Sequence, residues 1–290
     1  MKLDYKCPDQ NKLRVILCIS ANPTAGGLLT LAHHLLTPKF KVEGIVLQDC
    51  KDKENNGVAD LLEVMELNGR YPVFAGTSSK LEDVYVPLES EGAEFIISEC
   101  GKHDDRTLHV NVLGKLTDVA SAYLKKPKTC RNMNVIWAGG APWPCGGPEE
   151  ILEQDINAAN VLMASDVKFW QIPRNAYQQM KVSGAEIQAR MQPYGALGGH
   201  LASKVCEEIM ARGDFMDTLV LPGESVYGAL FNPFDHSYEC LPAPKINHQM
   251  YYVRNQYRRP VRVYYFMDSR MILEDLYTKL SVLSREEGAQ

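Results

Sequence analysis

From residue 13 onward, short apolar runs alternate with stretches whose apolar residues recur every three or four positions. The runs are Leu13–Ile19, Val42–Leu47, Phe95–Ile97, Leu108–Val112, Asn134–Trp137, Val167–Ile172 and Thr218–Leu221. Between many of them lie the helical windows Leu28–Leu36, Val58–Leu67, Leu116–Leu124, Ile151–Ala164 and Leu201–Ala211. Short buried strands separated by amphipathic helices require crossovers. The pattern therefore predicts an α/β fold, a doubly wound and mostly parallel sheet flanked by helices. Near the end the pattern changes. "QMYYVRNQYRRPVRVYYFMDSR" (Gln249–Arg270) alternates aromatic and polar residues about Arg258, Arg259 and Pro260, which predicts a small antiparallel β-hairpin. "MDSRMILEDLYTKL" then predicts a closing helix capped by Asp268 or Ser269. No linker, repeat or low-complexity tract divides the chain. Residues 1–290 read as a single α/β domain with the hairpin and helix, 249–285, as an appendage.

Composition narrows the partners. Apolar residues make up 45% and charged residues 23%, as in ordinary soluble proteins, and 290 residues suffice to bury a large core. A net charge of −5 argues against a nucleic-acid surface. No window reaches the roughly 18 consecutive apolar residues of a membrane span, and "MKLDYKCPDQNKLR" lacks the apolar core of a secretory signal. The eight cysteines are scattered and never spaced as C-x-x-C, so they read as reduced thiols of a cytoplasmic protein.

The candidate chemistry starts at "VILCISANPTAGGLLTLAHHLL" (Val15–Leu36), where a strand runs into a helix. The carboxyl end of a first parallel strand is the usual place for a ligand. Yet no charged residue lies between Ser20 and Thr30. Gly26 and Gly27 leave backbone N–H groups open to a hydroxyl or anion, but the glycine pattern and lysine of a phosphate loop are missing. The structural alternative is a tight turn with Asn22 or Thr24 as helix cap. A second glycine-rich stretch, "NVIWAGGAPWPCGGPEEILEQ", carries Trp143, Glu149 and Glu150. Its acids either bind a polar ligand or favour a helix start, where a negative charge contributes roughly 0.3–1 kcal/mol. "PGESVYG" suggests a serine nucleophile, with His236 or His248 as base, but Tyr227 stands where the strained elbow requires glycine. The seven histidines show no zinc spacing; His33 and His34 read as packing or surface residues, and "YRRPVR" as a solvated turn.

Several blocks together resemble the inosine–uridine preferring nucleoside hydrolases. "LHVNVLGKLTDVASAYLKKP" is similar to that family's G-P-L-T-N block, through Gly114, Leu116, Thr117, Asp118 and Ala120. "VIWAGGA" is similar to its M-G-G-A strand end, and "PEEILEQDINAANVLMASDVKFWQIP" to its following helix and strand. "KFKVEGIVL" and "PVFAG" resemble its second and third strands. The resemblance runs from Leu13 to about Gly228. It implies a doubly wound fold, cleavage of the N-glycosidic bond of ribonucleosides, a nucleoside or ribose-like ligand, a homo-oligomer, and a calcium ion held by a D-x-D-P-G-x-D-D loop.

On this chain that loop becomes Ser20-Ala21-Asn22-Pro23-Thr24-Ala25-Gly26-Gly27, with the proline kept and every acid replaced. Asn22 occupies the position of ligand and general base, and its amide has no basic state near neutral pH. Gly27 replaces another ligand, and Trp137 lies near the carbonyl position. A late acid survives as Glu224, or alternatively Asp235, while Glu149 occupies the sugar-binding position. One carboxylate holds calcium poorly. The resemblance therefore implies ligand contacts at Ser20, Gly26, Trp143 and Glu149, and a degenerate catalytic pair, Asn22 and Glu224. No cofactor is expected. Three readings stay open: a hydrolase using other groups, a catalytically silent nucleoside or ribose binder, and a scaffold that keeps only the fold.

Overall fold

The computed structural model describes residues 7–213 and 217–287, so the first six residues of the leader reading lie outside it. Six strands run parallel: β1 (Leu13–Ser20), β2 (Phe40–Gln48), β3 (Val73–Ala75), β4 (Leu108–Val112), β5 (Asn134–Ala138) and β6 (Lys168–Ile172). Their spatial order is 3-2-1-4-5-6. The chain reverses direction between β1 and β4, which makes that gap the topological switch point of the sheet. β7 (Lys181–Ser183) and β8 (Thr218–Val220) form a separate antiparallel pair. Of the later strands, β9 (Ser237–Pro242) and β12 (Pro260–Phe266) extend the main sheet, while β10 (Lys245–Ile246) pairs with β11 (Tyr252–Val253). β12 runs parallel to β6 and β9 antiparallel to β12, giving eight strands of which one is reversed.

Strand alternation divides the interior into two cores. Val15, Leu17 and Ile19 of β1 face one side and Ile16 and Cys18 the other, as a period of two requires. On the first side lie α1 (Ala25–Leu35), α2 (Gly57–Val64) and, later in the chain, α10 (Gly195–Arg212), α11 (Pro222–Phe231) and α12 (Ser269–Glu287). The second side is covered by α3 (Glu91–Cys100), α4 (Thr117–Lys125), α5 (Pro127–Cys130) and α7 (Ile156–Ala164). The short α6 (Glu150–Glu153), α8 (Arg174–Tyr177) and α9 (Gly184–Arg190) complete the connections. Starts are capped locally: Asn56 accepts from Val58 and Ala59, Ser90 from Ala93, and Asp155 from Ala158. Among the described residues no helix is long and apolar enough to cross a membrane.

Three sequence expectations are corrected. Phe95–Ile97 is not a strand but the interior of α3, because Ser90 caps the turn before it and Ala93, Phe95, Ile96 and Glu99 form one buried face. A short apolar run is ambiguous by periodicity alone. Thr218–Leu221 supplies a strand only to Val220, and outside the main sheet. The Gln249–Arg270 segment is not one hairpin. Its first half turns back on β10, while its second half becomes β12 and pairs with β9 and β6. The guanidinium of Arg259 donates to the carbonyls of Leu162 and Ser165, and that of Arg258 to Pro244, which anchors the supposed tip. Asp268 caps the closing helix, accepting from Met271 N at 3.0 Å.

Beneath the first side, α1, α11 and α12 meet around buried charge. Both nitrogens of His33 face carboxylates, Glu224 at 2.8 Å and Asp275 at 2.9 Å. Lys279 Nζ donates to Asp275 (2.5 Å), Tyr227 (2.7 Å) and Thr37 (2.8 Å), and the Tyr227 hydroxyl donates to Asp275 at 2.6 Å. Burial pushes the Asp275 carboxyl up, but the hydrogen bonds and charges of His33 and Lys279 outweigh it and hold it well below the usual range. Burial brings neighbouring His34 down to about 3, so its neutral ring donates from Nδ1 to Thr30 O and accepts at Nε2 from Asn111. A carboxyl depressed in the folded state stabilises above its unfolded pKa, and that contribution is lost as pH falls through the folded value. Asp275→Asn is expected to cost about 3 kcal/mol at pH 7 by stranding the buried His33 and Lys279. In urea unfolding the gap to the parent chain should close as pH falls below about 4.

Candidate functional site

The polar side chains of the junction after β1 are engaged in local hydrogen bonds, with Asn22 and Thr24 themselves exposed. The Ser20 hydroxyl donates to the Asn22 carbonyl (3.3 Å), and Asn22 Oδ1 accepts from Gly57 N (3.0 Å) at the start of α2. Thr24 caps α1, accepting from Gly27 N at 3.2 Å. The positive end of that helix already has its anion: Ala25 N donates to the Glu208 carboxylate of α10 at 2.7 Å. The two glycines are needed for close approach. A Cβ on Gly26 would lie 3.1 Å from Leu221 Cδ2, and one on Gly27 would lie 2.8 Å from Pro23 Cβ.

At the switch point the ends of β2 and β4 are joined across β1. Ala21 N donates to Gln48 O (2.8 Å), and the Gln48 side chain reaches over to donate to the Lys115 carbonyl (2.5 Å). Lys115 Nζ in return donates to Asp49 Oδ1 at 2.6 Å, with Asp49 in the left-handed conformation (φ 56°) that aspartate tolerates. Gln48 is 1% and Lys115 5% exposed while the Asp49 carboxylate is half-exposed, so this clasp commits the polar groups beside β1 to one another and narrows the crevice. Beside it, Asp118 Oδ1 accepts from Thr77 N (2.9 Å) and Ser90 Oγ (2.7 Å), while buried Oδ2 has no hydrogen-bond partner. Burial raises the Asp118 pKa.

After β5 the carboxylate of Glu149 caps α6 and accepts four bonds. These come from Gly140 N (2.7 Å), Ile151 N (3.2 Å), Leu152 N (2.9 Å) and the Tyr177 hydroxyl (2.6 Å). Burial and the Glu149 charge push the Tyr177 hydroxyl far up, so it stays a donor. Trp143 Nε1 donates to Gln171 Oε1 at 2.9 Å, and Gln171 in turn donates to Gly139 O and the Tyr252 hydroxyl. Trp137 lies within β5, paired on both sides, its Nε1 donating to Gly114 O.

The structure thus brings Ser20, Asn22, Gly26, Gly27, Trp143 and Glu149 to the same rim of the sheet, with the clasp between the two groups. Glu224 is not on that rim. It is fully buried in α11, facing Thr30 and His33 of α1. Asp235 is exposed in the turn before the edge strand β9, where Asn232 bonds it. Ser225 Oγ donates to Pro222 O inside the first turn of α11. Gln48, Asp49, Lys115 and Glu208 were missed from sequence. Lys115 carried a signal, since it stands where the G-P-L-T-N block has proline. Glu208 carried none, being far along the chain from the turn it caps.

No known family profile matches the sequence, and no curated protein matches it. Solved structures do match. A plant nucleoside hydrolase superposes over 93% of this chain and 99% of its own, with 14% identity and a TM-score of 0.75. A purine-preferring ribonucleoside hydrolase from Gardnerella vaginalis gives a TM-score of 0.78 over 94% of this chain and 99% of its own, at 16% identity. An inosine–uridine preferring nucleoside hydrolase from Bacillus anthracis gives 0.68 over 93% and 99%, at 12% identity. The chain therefore has the fold of nucleoside hydrolases.

Asp118 occupies the position of the block's asparagine. A carboxyl whose pKa is raised in the folded state favours folding below its unfolded pKa, and that advantage is lost as pH rises through the folded value. Asp118→Asn is therefore expected to raise the thermal midpoint at pH 7.5 by about 2–4 °C. The gain should shrink toward pH 4; a midpoint that falls at pH 7.5 would contradict it.

Proposed function

We propose that this chain is a nucleoside hydrolase-like protein that does not cleave N-glycosidic bonds: a catalytically silent relative taking a nucleoside or ribose-like ligand. The observation behind this reading is the clasped switch point, where Gln48 bonds Lys115 and Lys115 bonds Asp49 across β1. Hydrolysis needs a general base with a free acceptor facing the attacking water. Glu149 already accepts four protein donors, Glu224 is turned toward α1, Asp118 is buried, and the half-exposed Asp49 is paired with Lys115.

The residues at the degenerate loop do not fit calcium, which takes six to eight oxygen ligands. Asn22 offers one amide oxygen, already accepting from Gly57, and Gly26 and Gly27 pack against Leu221 and Pro23. The small-molecule reading rests on the shared fold and on the names of its structural neighbours as nucleoside hydrolases.

The test is to incubate the protein with inosine, uridine, adenosine and p-nitrophenyl riboside, with calcium or with chelator, and follow the released base or phenol. Release indistinguishable from the buffer blank is expected in every arm. Turnover lost on chelation would restore the metal mechanism, and turnover indifferent to chelation would establish a metal-free hydrolase. A ligand at 100 times its Kd should stabilise the fold by about 2.7 kcal/mol, read as a rise in thermal midpoint with ribonucleoside.

A further inference from the structure

A concavity lies apart from the clasp, between the loop after β5 and the segment that follows β11. It has a volume of about 600 Å³, within the range of small-molecule sites. Its floor is aromatic. Trp143 and Tyr252 meet with ring centroids 5.2 Å apart, inclined at 56°. Both rings are held by one buried side chain: Gln171 accepts from Trp143 Nε1 and donates to the Tyr252 hydroxyl, which itself donates to Ala141 O. Such a platform loses little conformational entropy when a ring stacks on it. Leu241 and Pro242 of β9 form an apolar wall.

The rim supplies charge and an exposed ring. Tyr257 is 90% exposed, an unusual placement for a large aromatic side chain. Arg254 also lines the concavity, and among the described residues it has no carboxylate within salt-bridge distance. Among the described residues no acid lines the site, although the chain as a whole carries a net charge of −5. An exposed guanidinium beside an aromatic floor selects for negative charge attached to a flat ring.

We propose that this concavity binds a small planar aromatic anion, its ring on Trp143 and Tyr252, its anionic group on Arg254, with Tyr257 closing over it. The site shares no residue with the clasp but uses Trp143, one of the ligand contacts that the resemblance implies; the dependence of probe binding on Arg254 tests it separately from the silent-relative reading.

The test uses the full chain and 1-anilinonaphthalene-8-sulfonate as fluorescent probe, with neutral N-phenyl-1-naphthylamine as control. Saturable binding of the sulfonate at one site is expected. Arg254→Gln should weaken it about tenfold, equivalent to about 1.4 kcal/mol, while leaving the neutral probe unchanged. Tyr257→Ala should weaken both probes. Displacement by adenosine 5′-monophosphate but not adenosine would assign the anion to a nucleotide. Saturable binding without such displacement would assign it to another aromatic anion. Sulfonate binding that is unsaturable, or unchanged in both variants, would overturn the proposal. Both substitutions are of exposed side chains, and the thermal midpoint of each variant checks that it folds.

Discussion

A carboxylate taken out of water must find donors inside the protein, and this constraint shapes both the strand ends and the helix layer beneath them. Glu149 finds four donors and thereby fixes the loop after β5 to the start of α6. Glu224 finds Thr30 and His33 and ties α11 to α1. Asp275 gathers His33, Tyr227 and Lys279, which brings in α12. Each acid is used as a joint. The same saturation that makes them good joints would oppose proton transfer, because a proton accepted from water would have to displace an internal bond.

The fold was largely legible in the chain, and the site much less so. Strand alternation in Val15–Ile19 and the apolar faces of the helices are local signals, so β1, β2, β4, β5 and β6 could be read directly. The error at Phe95–Ile97 arose because three apolar residues do not distinguish a strand from one turn of a buried helix. The split of Gln249–Arg270 between two sheets depended on Arg258 and Arg259 reaching carbonyls far away in sequence, which no local pattern encodes. For the site, the chain showed which acids were missing from Ser20–Gly27. It did not show what had taken their place. Gln48 and Lys115 meet only because β1 lies between β2 and β4, and Glu208 reaches Ala25 only because α10 packs on α1.

Superposition over more than nine-tenths of the chain accompanies identity of 12–16%, a level at which the backbone path persists while side chains are largely exchanged. Fold alone does not carry function. The switch point of a doubly wound sheet is shaped by what neighbouring strand ends place there, and here a glutamine and a lysine bridge it with protein hydrogen bonds.

The composition of the sheet's two borders has a consequence for how the molecule meets other chains. An open sheet offers unpaired backbone groups along each outer strand, and such borders invite uncontrolled strand-to-strand accretion. One border, β3, is only three residues long. The other, β9, ends in Pro242, which has no N–H to offer, opposite Pro260 of β12. Near its middle the Arg262 guanidinium lies 4.0 Å from the ring centroids of both Trp170 and Tyr238, placing fixed positive charge beside the exposed strand. A foreign strand approaching either border would find few donors, little length or a buried stem of charge. The fold thus carries its own protection against fibrous growth, leaving loops and helices as the surfaces through which selective contacts can be made.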